Sequence, residues 1–289
     1  MRALLLGRVL RRERYNVLVS YENSVYLGLV KKKVWEQDKV LVNDRVWFEP
    51  ITDTEVSVER TAGRKNYFLR PPVANLDLLV YVHSFKNPQC DVRYLDLTLG
   101  LATLQNIPVL VLFHKADLLR DEDIQPWTSL YTSLGYDVMV TSVYYDLSAL
   151  KERLRGKTVL FSGPTGVGKS SLVKALWKDA SVRVGDISKV GRGKHTTSWV
   201  ELLPLDDTYV VDAPGFSLLE MPAMNPWDIQ RMFPEIETTA KGCFFSDCLH
   251  LKEPSCAVKE AVKKGLIAES RYNSYLYFLD KQQEEAKKR

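Results

Sequence analysis

Gly163-Pro164-Thr165-Gly166-Val167-Gly168-Lys169-Ser170 is a complete G-x-x-x-x-G-K-[ST] phosphate loop. It follows a short apolar run, Thr158–Phe161, and opens a helix-compatible run, Ser171–Trp177. That is the strand–loop–helix setting the motif requires. Glycines let the backbone turn tightly, so that its N–H groups and the helix N-terminus face phosphate oxygens. Gly163, Pro164, Thr165, Gly166, Val167, Gly168, Lys169, Ser170 and Ser171 would then line the phosphates. Lys169 would reach the β- and γ-phosphates, and the Ser170 hydroxyl would ligate Mg²⁺. A glycine-rich turn with an accidental lysine is the plainer alternative; the intact strand and helix patterns around it speak against that.

Outward from the loop, apolar runs and amphipathic stretches alternate. Leu78–Val82, Val109–Phe113 and Asp137–Val140 read as strands, with helices over Val92–Leu104 and Leu147–Leu154 between them and a further strand at Tyr209–Val211. Such alternation implies a parallel sheet covered on both faces. The first seventy or so residues differ. Val17, Val19 and Tyr21 keep a period of two, as do Val25, Leu27 and Leu29, Val46 and Phe48, then Val56 and Val58, with turn residues between them. Short alternating strands of this kind suit a small all-β barrel. Arg60–Arg70 and the Pro71-Pro72 pair read as a linker,. After Pro226 the chain turns polar and helical, ending in a charged tail at Lys281–Arg289.

Bulk properties are those of an ordinary folded chain. With 289 residues, two or three domains are expected,. The composition is 45% hydrophobic and 26% charged, and no window approaches the roughly 18 uninterrupted apolar residues of a membrane span. The apolar run Ala3–Leu6 is too short for a signal peptide,. A net charge of +4 permits a nucleic-acid partner without arguing for one,.

Cys243-x4-Cys248-x-His250-x5-Cys256 supplies three thiols and one imidazole. Zn²⁺ favours tetrahedral S/N coordination, and a Cys₃His set with no open position is structural. One structural Zn²⁺ in a reducing cytoplasm is therefore expected, rather than a disulfide framework.

Base-reading and switch elements decide which nucleotide the loop serves. Asp212-Ala213-Pro214-Gly215 ends the Tyr209–Val211 strand; Asp212 there can hold Mg²⁺ through water, and the Gly215 N–H can contact the γ-phosphate. His114-Lys115-Ala116-Asp117 caps the Val109–Phe113 strand and resembles the N-K-x-D element of GTPases, with His in place of Asn. Asp117 can accept from the N1–H and exocyclic amine of guanine, a donor pair that adenine lacks, while the stem of Lys115 packs on the ring. Thr141-Ser142 ends the next strand, where Ser142 would support the guanine carbonyl. In ordinary GTPases the phosphate loop precedes these elements. Here the base-reading elements, Lys115, Asp117 and Ser142, precede it, as they would in a circularly permuted GTPase.

These residues, the Gly191–Thr197 stretch and the cysteine cluster together resemble the RsgA/YjeQ family of ribosome small-subunit-dependent GTPases over nearly the whole chain. The resemblance implies an OB-fold barrel over 1–70, a circularly permuted α/β P-loop GTPase domain over 71–224 and a small α-helical zinc-binding domain over 225–289. Gly191–Thr197 would be the switch loop, with Thr196 or Thr197 completing the Mg²⁺ shell; the sequence does not separate the two. Phe216 stands where many GTPases place a water-orienting Gln. The resemblance gives that task to His195, whose near-neutral imidazole could orient or deprotonate water; contact with RNA phosphate is the plainer alternative.

The implied activity is Mg²⁺-dependent hydrolysis of GTP to GDP and phosphate, stimulated by the small (30S) ribosomal subunit. The implied partners are that subunit and its 16S rRNA, with no membrane, for a cytoplasmic monomer acting late in subunit maturation and released by hydrolysis. Arg11, Arg12, Arg14 and Lys31–Lys33 on the barrel, with Lys259, Lys263 and Lys264 behind the cysteine cluster, are the basic groups available to RNA,. Two rival readings stay open at this level: an ATP-using P-loop enzyme, favoured by the loss of the Asn amide at His114, and a non-enzymatic RNA-binding scaffold with a vestigial nucleotide site.

Overall fold

A computed structural model describes residues 4–13, 16–177, 200–213 and 218–287. His195, Thr196, Thr197, Gly215 and Phe216 lie outside the described residues, as does Arg14.

The N-terminal strands are β1 (Leu5–Arg12), β2 (Asn16–Tyr21), β3 (Ser24–Val30), β4 (Arg45–Pro50) and β5 (Glu55–Thr61). They pair in the order β1-β2-β3-β5-β4, and β4 returns to β1, so the barrel is closed. Of the alternating residues read from the sequence, Val17, Val19, Val46, Val56 and Val58 pack with Phe48 and Val9 in its core, whereas Val25 and Leu29 are exposed on β3. Helix α1 (Lys32–Asp38), between β3 and β4, inserts Val34 into this core. The sequence reading held Lys31–Lys33 only as a basic run. A seven-residue helix with one buried side chain leaves no readable period,.

The α/β portion has strands β8 (Leu78–His83), β9 (Val109–Phe113), β10 (Asp137–Val140), β11 (Thr158–Ser162), β12 (Glu201–Leu205) and β13 (Thr208–Asp212). Their order is β10-β9-β8-β11-β13-β12, parallel throughout except for the β12–β13 hairpin. Strands β8, β9 and β11 are buried at every position because helices cover both faces,. Alternate residues diverge accordingly. Leu79, Tyr81, Val109 and Val111 pack beneath helix α2 (Val92–Leu104). Leu78, Val80, Leu110 and Leu112 pack against Leu150 and Leu154 of α4 (Ser148–Leu154) and Leu172 and Leu176 of α5 (Lys169–Leu176).

Helix α3 (Asp121–Ser133) precedes β10.

The barrel and this sheet are continuous. Strand β1 pairs with β12 through Arg11 and Glu201, giving an eleven-stranded sheet. Arg8 reinforces the joint. It donates to Asn43 Oδ1 (2.6 Å) and to Thr158 Oγ1 (2.7 Å) and lies 3.8 Å over the Tyr209 ring.

The stretch expected as a linker is instead a small hairpin, β6 (Tyr67–Leu69) and β7 (Pro72–Ala74). Phe68 and Val73 enter the core, and Arg64 donates to both oxygens of buried Asp44 at 2.7 Å. Three-residue strands around a proline pair carry a turn signal and almost no strand signal.

Helices α6 (Pro226–Arg231), α7 (Pro234–Ala240), α8 (Ala257–Lys263) and α9 (Glu269–Lys287) complete the described chain. The expected charged tail begins as the end of α9: Gln282 accepts from the Met224 N–H and donates to the Pro222 carbonyl, both at 3.1 Å. A buried charge network fastens these helices to α2. Arg271 and Asp96 are both 0% exposed and bond at 2.7 Å, Arg271 also holds Glu235 (2.7 Å), and Tyr131 and Ser274 donate to Asp96. No described helix is long and apolar enough to cross a membrane.

Behind the sheet end that carries the nucleotide motifs, His83 is fully buried among Tyr81, Phe85 and Phe113, and its carbonyl accepts from the His114 N–H (2.8 Å). Burial holds its imidazole down to about 4.

Two stability measurements follow from these buried groups. Arg271→Met leaves Asp96 as an uncompensated buried charge, so denaturant unfolding should show a loss of about 3–5 kcal/mol; a loss below about 1 kcal/mol would contradict the network's role. For His83, the unfolded chain takes up a proton as pH falls below 6.5 while the folded chain stays neutral down to about 4. Its contribution is complete above pH 6.5 and declines on acidification, by about 2 kcal/mol between pH 7 and pH 5. His83→Phe should remove that slope.

Candidate functional site

The nucleotide motifs among the described residues lie at the carboxyl ends of parallel strands. Chain order runs outward from β8 through β9 to β10 and, on the other side, from β11 to β13, so the sheet's switch point lies between β8 and β11. Ligands of open α/β sheets occupy the crevice at such a point. The phosphate loop follows β11, the base-reading residues follow β9 and β10, and Asp212 ends β13.

Gly163, Gly166 and Gly168 take φ values of 140°, 84° and 104°, a region that side chains disfavour. At Gly163 a Cβ would meet the Val82 carbonyl oxygen at 2.2 Å, so the loop can pass β8 only as glycine. Val167 anchors the loop in the core beside Leu172 and Val82. Lys169 is the first residue of α5 and folds over the loop, its ammonium on the carbonyls of Gly163 (2.5 Å) and Pro164 (3.0 Å). Burial lowers its pKa. Ser170 and Ser171 are exposed on the first turn of α5.

The base-reading loop is bound to the phosphate loop. Lys115, at a positive φ of 59°, extends its ammonium onto the carbonyls of Gly166 (2.8 Å) and Asn87. His114 is 2% exposed. Its Nδ1 is 3.0 Å from Thr141 Oγ1, and its Cδ2–Nε2 edge lies 2.9–3.0 Å from where a Gly168 Cβ would stand. Asp117 is exposed in the turn Ala116–Leu118 and accepts from the buried Ser142 hydroxyl at 2.5 Å. His114, Lys115, Asp117, Ser142 and the phosphate loop thus form one continuous cleft rim.

One member of this rim, Asn87, was not read from the sequence, nor was the side-chain tie between Thr141 and His114. The Asn87 carbonyl approaches through the Ser84–Cys90 turn, whose Pro88 also packs beside Gly166. Thr141 ties to His114 through its side chain. A main-chain carbonyl leaves no residue-type signal, although the Asn87-Pro88 pair marks the turn.

Asp212 reaches the same end of the sheet from β13, one strand from β11. Ser170 and Asp212 could hold Mg²⁺; Thr196 and Thr197, the other expected ligands, lie outside the described residues.

The cysteine cluster assembles as expected. The ligand atoms of Cys243, Cys248, His250 and Cys256 all lie within 4.8 Å of one another. His250 Nδ1 is 3.6, 3.3 and 3.4 Å from the three sulfurs, and Cys243 Sγ is 3.9 Å from Cys256 Sγ. A tetrahedral zinc with bonds of about 2.0–2.3 Å would have ligand–ligand edges of about 3.5–3.8 Å, so these residues fit the ion. His250 Nε2 meets Gln230 Oε1 at 3.1 Å, which would keep the proton on Nε2 and free Nδ1 for metal,. Cys256 caps α8, its sulfur accepting from the Lys259 N–H.

Comparison with known proteins agrees with this geometry. The family model for the RsgA GTPase matches residues 61–222. A protein of Listeria monocytogenes named small ribosomal subunit biogenesis GTPase RsgA 2 is 40% identical over 243 residues, which is 83% of this chain and 84% of that one. The crystal structure of YjeQ from Thermotoga maritima superposes with a TM-score of 0.80 at 33% identity, covering 97% of this chain and 99% of that one. That of YloQ, described as a circularly permuted GTPase, gives 0.75 at 30%, covering 98% and 96%. The chain belongs to the RsgA GTPase family and is a circularly permuted GTPase with an OB-like barrel.

Proposed function

We propose that this GTPase acts in small ribosomal subunit biogenesis: it binds the 30S subunit and its 16S rRNA late in maturation, as a cytoplasmic monomer, and leaves on hydrolysis. The relatives named for that process support the reading. The observation that carries the nucleotide half is the junction of the Lys115 ammonium with the Gly166 carbonyl, which joins a guanine reader to a phosphate loop across a permuted chain.

In this reading Asp117, oriented by Ser142, accepts from guanine N1–H and the 2-amine, and Lys115 covers the ring. Gly163 through Ser171 and Gly215 receive the phosphates. Lys169 exchanges its two loop carbonyls for phosphate oxygens, replacing neutral acceptors by charged ones,. Ser170, Asp212 and either Thr196 or Thr197 hold Mg²⁺, which would neutralise charge developing on the β- and γ-oxygens. His195 orients the attacking water. Residues 1–70, 71–224 and 225–289 serve as the barrel, GTPase and zinc-binding domains, with Cys243, Cys248, His250 and Cys256 holding one structural Zn²⁺.

Coupling to the subunit has a physical route. The hairpin β12–β13 connects the segment containing 191–197 to the one beginning at Asp212, and β12 is also the strand that pairs with the barrel. Ordering of those segments by GTP would bear on the barrel's seating, so that nucleotide state sets affinity for the subunit. Arg12 on β1 and Lys31, Lys32 and Lys33 at the start of α1 are the barrel groups for phosphate contact, whereas Arg11 is 2% exposed and paired with Glu13 and Glu201; Lys259, Lys263 and Lys264 are those on the zinc-binding side.

Turnover of GTP should be slow alone and rise at least about tenfold with small subunits present, with Lys169→Ala lowering both rates about a hundredfold or more; equal turnover with and without subunits contradicts the coupling. Elemental analysis should find about one zinc per chain, and Cys256→Ser should lose it together with the melting cooperativity of the C-terminal helices.

A further inference from the structure

We infer that His114 joins the base-reading loop to the phosphate loop and does not read the base, so that this chain selects guanine through its N1–H and 2-amine edge and is indifferent to N7. The inference rests on the guanine reading given above and concerns the one position where the N-K-x-D pattern is broken.

An Asn amide offers two N–H donors and a carbonyl, whereas a neutral imidazole offers one N–H and one lone pair. An amide at position 114 could therefore hold Thr141 and still donate to the acceptors N7 or O6 on the outer edge of guanine. One ring nitrogen of the imidazole is committed to Thr141, and the other edge faces Gly168. Its Nδ1 meets Thr141 Oγ1 at 3.0 Å. Its opposite edge, Cδ2 with Nε2, is pressed against Gly168, leaving no room there even for a methyl group. Only 2% of the residue is exposed. Burial, and then the neighbouring Lys115 ammonium, lower its pKa, so the ring stays neutral and gains no second donor.

What reaches the cleft is Asp117. Its carboxylate is exposed, and the Ser142 hydroxyl takes one acceptor site on Oδ1, leaving both oxygens able to accept from the base,. Selectivity then resides in a charge-assisted pair of hydrogen bonds on one edge of guanine, a stronger device than a neutral contact to N7. His114 is a positioning residue: it fixes the relation of Thr141 and Gly168, and through them the spacing of the base and phosphate ends.

The test is calorimetric binding of GDP, 7-deaza-GDP, IDP and ADP to the full chain with Mg²⁺. GDP and 7-deaza-GDP should bind within about twofold of each other, and IDP, which lacks the 2-amine, at least about tenfold more weakly. A loss of tenfold or more for 7-deaza-GDP would overturn the inference. Equal binding of GDP, IDP and ADP would instead sink the guanine reading itself, and this inference with it. His114→Asn should bind GDP as well as the parent and acquire about a tenfold penalty for 7-deaza-GDP. His114→Ala should weaken GDP and 7-deaza-GDP alike. The same 7-deaza penalty in the parent and in His114→Asn would also overturn it.

Discussion

A lysine ammonium held on main-chain carbonyls, Lys115 Nζ on Gly166 and Asn87, ties the His114–Asp117 turn to the phosphate loop, and in the proposed function it sets the distance between the groups that hold base and phosphates. A guanine nucleotide presents its base at one end and its phosphates at the other, so the two gripping loops must be fixed relative to each other to within a fraction of an ångström. In this chain they are far apart in sequence and arrive from different strands, β9 and β11. Coulombic attraction to carbonyl dipoles, reinforced by the His114 edge against Gly168, closes that gap. Because the junction is made across space, the order in which the chain supplies the loops is immaterial. Permutation therefore leaves the site intact.

The same economy joins the barrel to the sheet. Strand β1 is shared by both: it closes the barrel with β4 and pairs with β12. Arg11, 2% exposed, stands in register with Glu201 across that seam, and Arg8 reaches both Thr158 at the start of β11 and Tyr209 on β13. Buried arginines of this kind are expensive to move without their partners. A shift of the β12–β13 hairpin is consequently hard to confine to the GTPase portion. At the far side, the Arg271–Asp96 pair ties the cysteine-bearing helices to α2 in the same manner.

Much of this was legible in the chain. Strands β8, β9 and β11 are built on short apolar runs, and Val92–Leu104 agrees with α2 at both ends. The valine alternation of β2, β4 and β5 fills the barrel as its period requires, while that of β3 faces outward at Val25 and Leu29. Local chemistry also announced the four zinc-type ligands, because their spacing is short. What escaped was whatever depends on distance in sequence or on absence of a pattern. Helix α3 carries Pro126 and a polar face and reads as loop. Hairpin β6–β7 hides in a proline-rich stretch. Asp96 and Arg271, 175 positions apart, look like ordinary surface charges until the helices pack. His114 looked like a loss of function at the base, since sequence shows the missing amide but not Thr141 and Gly168 on either side of the ring.

In the proposed function the nucleotide site is a switch whose state governs the grip on a ribosomal partner. Its most direct test is co-sedimentation of the full chain with small ribosomal subunits, once with a non-hydrolysable GTP analogue and once with GDP. Retention with the analogue and release with GDP is the predicted result. Equal sedimentation in the two states would contradict it.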